Sequence, residues 1–149
     1  MGKKVEKTEI ILAQWQTCVE MANSISQRRD AMNNIFITLN LAILASVSFK
    51  WDIKSIFVII AGIIICILWI LFIRNYKLLN VEKFKVINDL EGKLPVSPFM
   101  DEWELLQKNK KYKDSTTLEK ALPSMFMILY VVVIVVTVII KICEKGGAA

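Results

Sequence analysis

Apolar residues are concentrated in long stretches of the chain. Residues 55–73 (SIFVIIAGIIICILWILFI) and residues 124–140 (SMFMILYVVVIVVTVII) contain no charged side chain. A helix that crosses a bilayer needs about 20 mostly apolar residues, and helices of soluble cores seldom stay apolar on every face over such a length. Both stretches are therefore predicted to span a membrane, with the Lys141 side chain extending from the second stretch to the interface.

A third apolar stretch, residues 35–49, is shorter and contains polar side chains. It extends back to Met32 without meeting a charge, and a loop of five residues, 50–54, joins it to the next stretch. Trp51 lies in that loop, at the place where aromatic residues favour the membrane interface. We therefore predict a hairpin of two spans. The predicted spans are 32–49, 53–73 and 123–143.

Outside the spans the apolar residues follow helical spacing. One stripe recurs every three or four residues near the N-terminus, which predicts a single helix from about residue 6 to residue 49, with 6–31 outside the membrane. The second span continues as a helix to Glu91, before Gly92. The two stripes are expected to cover each other. The first stripe consists of Ile11, Trp15, Cys18, Ala22 and Ile25; the second runs from Tyr76 to Leu90.

A break at residues 93–98 separates this helix from a short one. Ser97 as N-cap and Pro98 at the first helical position predict a helix over 99–110, with Phe99, Trp103 and Leu106 on one face. Thr116 and Glu119 have the spacing of a capping box for a helix over 117–122, after which Pro123 starts the last span.

These elements predict an all-α integral membrane protein. Residues 1–145 form one membrane domain, in which residues 6–31 and 74–122 build a small helical bundle outside the bilayer. No strand pattern appears in the sequence. We interpret residues 146–149 as a cloning remnant.

The distribution of charge predicts the orientation. Lys and Arg number 19 against 14 Asp and Glu, and residues 74–122 carry ten of the cations. The positive-inside rule therefore predicts a cytoplasmic N-terminus and a cytoplasmic segment 74–122, with the C-terminus outside. No cleavable signal is expected, because no apolar stretch follows the first residues. Eight acids are mixed with the ten cations, a pattern that does not favour nucleic-acid binding.

The residue inventory argues against an enzyme. The chain contains no His, which excludes Ser-His-Asp triads and histidine acid/base catalysis. Cys18, Cys66 and Cys143 form neither a disulfide framework nor a metal motif. No acid lies inside a predicted span, and no glycine-rich phosphate-binding motif is present. We predict no catalytic residue, no cofactor and no metal.

The first span carries the polar residues that are candidates for function. Thr38 and Asn40 are expected either to form hydrogen bonds between helices or to line a water-filled path. Thr38, Ala42, Ala45 and Ser46 form a face of small residues that permits close helix approach. The candidate polar face therefore consists of Thr38, Asn40, Ala42 and Ser46. Three spans leave no room for a path within one subunit, so a conduit requires oligomerisation.

A series of short motifs crosses the middle of the chain and reaches the last span. It comprises Arg74, Tyr76, Leu79, Lys83, Phe84, Ile87, Leu90-Glu91, Leu94-Pro95, Pro98-Phe99, Glu102-Trp103, Tyr112, Leu118-Glu119 and Pro123. In this order the motifs resemble the RipA-family octameric membrane proteins of bacteria, over roughly residues 15–140. The resemblance implies a homo-octamer in the bacterial cytoplasmic membrane with the middle segment inside. The family's founding role is support of intracellular bacterial growth, and it supplies no catalytic residues.

Two functions remain open at this stage. The first is a homo-oligomeric assembly in the bilayer with a central passage, channel-like or pore-forming. The alternative is a membrane scaffold in envelope or stress physiology that binds a cytoplasmic partner protein. In that case Phe99, Trp103 and Leu106 form the candidate docking face.

Overall fold

The chain folds into four helices. A computed structural model describes the backbone of residues 2–49 and 55–146, and the side chains of 5–48 and 55–143. Within those ranges the helices are α1 (Gly2–Phe49), α2 (Ser55–Glu91), α3 (Pro98–Lys108) and α4 (Ser115–Gly146), and no strand is present. The predicted all-α fold is confirmed. Helices α1, α2 and α4 are each long and apolar enough to cross a membrane.

The two longest helices were predicted correctly. The continuous helix expected from about residue 6 to 49 is α1, and the expected extension of the second span to Glu91 is α2. The predicted interfacial position of Trp51 lies outside the described residues, as do the whole loop 50–54 and the last three residues of the predicted cloning remnant. Gly146, the first residue of that remnant, is the last residue of α4.

The chain divides into two compact units. Unit 1 consists of Met1–Asp30 and Arg74–Asp114, and unit 2 of Ala31–Ile73 and Ser115–Ala149. Unit 1 carries most of the charged side chains of the chain. Unit 2 contains the long apolar stretches.

Aromatic side chains form the core of unit 2 between its three helices. Trp69 of α2 is almost completely buried and stacks on Phe36 of α1, with ring centroids 5.6 Å apart. Its other neighbour is Phe126 of α4, at 6.3 Å. The indole Nε1 donates a hydrogen bond of 2.8 Å to Asn33 Oδ1, which satisfies the polar end of a side chain that is otherwise packed among apolar groups.

The last helix corrects one prediction. The separate short helix over 117–122 is wrong, because α4 runs without a break from Ser115 to Gly146 and contains Pro123. Proline has no backbone N–H, so we expected it to begin a new helix. The backbone bond that Pro123 lacks would run to the Glu119 carbonyl, four positions earlier. The Ser124 hydroxyl donates to the neighbouring Lys120 carbonyl at 2.8 Å, and α4 continues through the proline.

Packing in unit 1 joins α1, α2 and α3 through aromatic rings. Phe99 of α3 lies 5.7 Å from Trp15 of α1 and 5.8 Å from Phe84 of α2, measured between ring centroids. The stripe predicted on α1 faces this core, and Ala22 within it is buried. The stripe predicted on α2 is only partly correct. Ile87 is fully buried, whereas several of its apolar residues are exposed. The exposed ones are Leu78, Leu79, Val81 and Val86.

Candidate functional site

An interhelical hydrogen-bond centre lies in unit 2 at Asn40. This side chain is completely buried. Its Nδ2 donates to the Phe36 carbonyl of its own helix at 2.8 Å. Its Oδ1 accepts two hydrogen bonds, from the Tyr130 hydroxyl of α4 at 2.8 Å and from the Cys66 thiol of α2 at 3.2 Å. One amide therefore joins all three apolar helices.

The Tyr130 ring reaches Asn40 because α2 has a glycine opposite it. Tyr130 is completely buried, and a Cβ atom placed on Gly62 would lie 2.6 Å from Tyr130 Cζ and 2.8 Å from Cε2. Such distances are too short for carbon atoms, so any larger residue at position 62 would displace the ring. Gly62 therefore permits the close approach of α4 to α2 that brings the hydroxyl to Asn40.

Both lone pairs of Asn40 Oδ1 are used by these contacts. A buried amide whose oxygen accepts two hydrogen bonds from other helices stabilises helix packing, because lipid would leave the same polar group without partners. The Tyr130 hydroxyl also lies 3.3 Å from the Asn40 backbone carbonyl. Sequence reasoning identified Asn40 but missed Tyr130, Cys66 and Gly62, because nothing in local spacing connects residues that are up to 90 positions apart.

The other three residues of the candidate polar face lie on the opposite side of α1 from Asn40. Thr38, Ala42 and Ser46 are exposed in the subunit. The Thr38 hydroxyl donates to the Asn34 carbonyl at 2.9 Å, and the Ser46 hydroxyl donates to the Ile43 carbonyl at 2.8 Å. The structure thus separates the predicted set into one buried residue and three exposed ones.

Small side chains continue along this exposed side of α1. We call it the α1 outer face, and it consists of Ala31, Asn34, Thr38, Ala42 and Ala45, all exposed. In the described parts of the two other spans, the exposed side chains are apolar apart from Lys141 near the end of α4. They are large on both helices and include Phe57, Ile64, Leu71, Ile128, Val132 and Ile139.

In unit 1 the candidate docking face forms one wall of a groove. Trp103, Leu106 and Phe99 of α3 face Val81 and other residues of α2 across a space of about 520 Å³. Trp103 is exposed, whereas Leu106 and Phe99 are partly buried. The remaining lining residues are Asn80, Phe84, Lys85, Asn88 and Glu102. The structure therefore brings the three predicted residues together.

A buried carboxylate that the sequence reasoning overlooked holds the start of α3. Glu91, the last residue of α2, is completely buried and accepts hydrogen bonds from the backbone N–H groups of Phe99 and Met100, each at 3.1 Å. Ser97 occupies the predicted N-cap position, but its side chain makes no capping hydrogen bond. The prediction that Ser97 caps α3 is therefore wrong in chemistry though correct in position, and Glu91 supplies the negative charge that a helix N-terminus favours.

The sequence held a signal for this role of Glu91. It lies four residues after the buried Ile87 and thus on the packed face of α2. Two further details differ from expectation. Helix α3 ends at Lys108 rather than at residue 110, and Gly92 follows α2 without a positive φ angle, so its conformational freedom is not what ends the helix.

The geometry offers no metal-binding chemistry in the part of the chain that the structure describes. No group of three or more His, Cys, Asp or Glu residues lies close enough together there to hold a metal ion. Ion pairs in unit 1 join Lys77 to Asp114 and Lys85 to Glu82. Both are partly or largely exposed pairs, which contribute little to stability.

Comparison with known proteins gives one match. A family model described as the octameric membrane protein family (8xMP) matches residues 12–139. Searches of curated proteins and of solved structures found no match to this chain. The matched range covers most of the chain and includes all of α3, most of α1 and α4, and the whole of α2. With three helices long and apolar enough to cross a membrane, this chain is a membrane protein that belongs to the octameric membrane protein family (8xMP).

Proposed function

We propose that the protein is the subunit of a homo-octamer in the bacterial inner membrane, and that the α1 outer face lines or borders a central passage. The single observation that carries the proposal is the contrast between the spans. The exposed side of α1 in unit 2 carries a stripe of small and polar residues, which is flanked by Ile35, Leu39 and Leu41, whereas the exposed sides of α2 and α4 in their apolar stretches are almost entirely large and apolar.

Bilayer physics explains why this contrast matters. Large aliphatic side chains are well suited to contact with lipid, and polar groups in a span usually face other helices or water. Small residues also allow helices to approach closely. An octamer that turns α2 and α4 to the lipid and α1 to its neighbours and its axis satisfies both preferences. The family's octameric assembly supports this arrangement.

The chemistry of the proposed passage is simple. Thr38, Asn34 and Ser46 offer neutral polar groups, and the small residues Ala42 and Ala45 leave space. No charged residue lies on this face between Ala31 and Ser48, so the path would select by size rather than by charge. We propose a passive conduit that performs no catalysis, with the N-terminus and residues 74–122 in the cytoplasm as the positive-inside rule predicts.

The test combines conductance with thiol labelling. Cys18→Ala and Cys143→Ala remove the two native thiols that are not buried, whereas Cys66 is buried and stays. Thr38→Cys and Ala42→Cys are introduced singly, with Val132→Cys on the exposed apolar side of α4 as the matched control. We expect a charged, membrane-impermeant thiol reagent to label positions 38 and 42 and to change the current through reconstituted octamers, and to leave position 132 unaffected.

Two results would overturn the proposal. Purified octamers that carry no current and release no dye under any voltage or osmotic condition have no passage. Labelling that is equal at positions 38 and 132 would mean that the α1 outer face is not in contact with water.

A scaffold remains the second candidate function, and the groove in unit 1 is the observation that favours it. A partner protein could insert a side chain beside Trp103, which is exposed. In that case Trp103→Ala abolishes co-purification of the partner and leaves the octamer intact. If the octamer falls apart instead, the groove serves assembly, and the scaffold function loses its support.

A further inference from the structure

Unit 1 has two separate apolar surfaces that its own packing leaves open. The first is the groove surface, formed by Val81 of α2 with Trp103 and Leu106 of α3. Val81 and Trp103 remain 44% and 51% exposed in the subunit. The space between them has a volume of about 520 Å³, which is the size of clefts that hold ligands and is large enough to receive side chains of a second chain.

The second surface is a ridge formed by Leu79 and Val86 of α2 with Met21 of α1. These three side chains are 45%, 51% and 49% exposed. The Lys83 ammonium nitrogen lies 3.6 Å from Met21 Sδ, which places Met21 beside this side of α2. We call these three residues the ridge surface.

The two surfaces lie on opposite sides of α2. At about 100° per residue, Leu79 and Val86 are seven positions apart and point in nearly the same direction, whereas Val81 lies about 140–160° away from both. Isolated exposed apolar side chains are common on soluble surfaces, but two grouped sets on a charged helical unit mark contact sites.

Because the chain belongs to an octameric family, a second copy of the chain is the expected partner for the groove surface and the ridge surface. Subunits of a membrane ring share one orientation across the bilayer, so neighbours meet head to tail and each subunit needs two different surfaces that complement each other. A groove on one side of α2 and a ridge on the other side meet this requirement.

We propose that the groove surface of each subunit receives the ridge surface of a second copy of this chain, so that unit 1 forms a closed ring of contacts. Trp103 is the aromatic anchor of each contact, since buried aromatic residues carry much of the energy of interfaces. The proposed contact and the proposed function both require the octamer, but the contact does not require a passage through it.

Cysteine crosslinking tests the contact directly. In the Cys18→Ala, Cys143→Ala background, Val81→Cys marks the groove surface and Val86→Cys marks the ridge surface, and Trp103 is retained. Within one subunit the two positions lie on opposite sides of α2, so only a neighbour can join them. We expect the double variant, treated in membranes with a short bifunctional maleimide, to give a ladder of products that extends to eight subunits on a denaturing gel.

The controls distinguish this arrangement from others. Each single variant should remain monomeric on the gel, and co-expressed single variants with different tags should give one mixed dimer. Leu105→Cys combined with Val86→Cys is the matched control, because Leu105 is 69% exposed and lies about 160° from Trp103 around α3. That pair should give no ladder.

Three outcomes would overturn the proposal. The first is a double variant that stays uncrosslinked although the particle has the mass of an octamer. The second is a single variant that crosslinks to itself, which would show a symmetric contact. The third is a Trp103→Glu variant that remains fully octameric. This result counts against the proposal even if the variant has lost a bound partner protein. The readout is independent of current, so failure of the conductance experiment leaves this test unchanged.

Discussion

Gly62→Ala provides the most direct test of the packing in unit 2. In an ordinary helix this change stabilises the protein by up to about 1 kcal/mol, because alanine has the higher helix propensity. At this position the added Cβ would lie 2.6 Å from Tyr130 Cζ. Tyr130 is completely buried and packs against α1 and α2, so its ring cannot move aside without displacing other side chains.

The magnitude follows from these two opposing effects. Overpacking a well-filled core costs about 1–3 kcal/mol, and displacement of the ring also weakens the hydrogen bond to Asn40, which contributes about 0.6 kcal/mol in a typical membrane protein. These costs outweigh the gain in helix propensity. We therefore expect Gly62→Ala to lower the free energy of unfolding by about 1–2 kcal/mol.

The assay is denaturant-dependent unfolding in mixed micelles, followed by circular dichroism. Tyr130→Phe is combined with Gly62→Ala to separate the two effects. The phenyl ring keeps the Cζ and Cε2 atoms that meet the new Cβ, so Phe does not relieve the clash. Tyr130→Leu removes the ring and should reduce the penalty of Gly62→Ala. A Gly62→Ala variant as stable as the native protein, or more stable, would refute the reasoning.

Three further predictions concern the hydrogen bonding of the side chains of Tyr130, Glu91 and Ser97. Tyr130→Phe should lower the free energy of unfolding by about 0.6 kcal/mol because the Asn40 Oδ1 loses its shorter donor. Thr137→Val should change it less, since the Thr137 hydroxyl donates to the Val133 carbonyl of its own helix. Chemical unfolding measures both. Glu91→Ala should destabilise unit 1 by about 1–3 kcal/mol, because two partly buried N–H groups at the start of α3 lose a charged acceptor. Hydrogen exchange should become faster at the backbone amides of Phe99 and Met100, and unchanged exchange there would contradict the capping role. Ser97→Ala should leave stability within about 0.5 kcal/mol of native, because its side chain makes no capping bond.

The helices could be predicted because their signals are local. The uninterrupted apolar run before Arg74 and the regular stripe from Ile11 to Ile25 require only the residues within a few turns. The family could also be recognised from the order of short motifs in the middle segment. These two kinds of information led to the all-α membrane fold and to the octameric membrane protein family.

Predictions were wrong at two positions where a local preference did not decide the structure. Ser97 has the residue type and position of an N-cap, but Glu91 reaches the same N–H groups from the end of α2 and provides a full negative charge. Pro123 has the chemistry of a helix start, but α4 passes through it. At Ser97 the local capping preference is overruled by a carboxylate on the packed face of α2, and at Pro123 the preference of proline for a helix start did not decide where α4 begins.

The position of Asn40 has a consequence for any passage through the assembly. The Asn40 side chain is one of three amides in the first span, and its Oδ1 atom is occupied by Tyr130 and Cys66 inside the subunit. The polar groups that the α1 outer face exposes are then hydroxyl and amide groups of modest polarity. The Thr38 hydroxyl already donates its proton to a carbonyl of its own helix. Such a surface binds no ion strongly, because a dehydrated ion needs several oriented dipoles or an opposite charge. A passage built on this face would therefore conduct only hydrated species and would show little preference between cations and anions. The subunit uses the Asn40 amide to hold its helices together, so the width of the ring would be the property that controls permeation through such a passage.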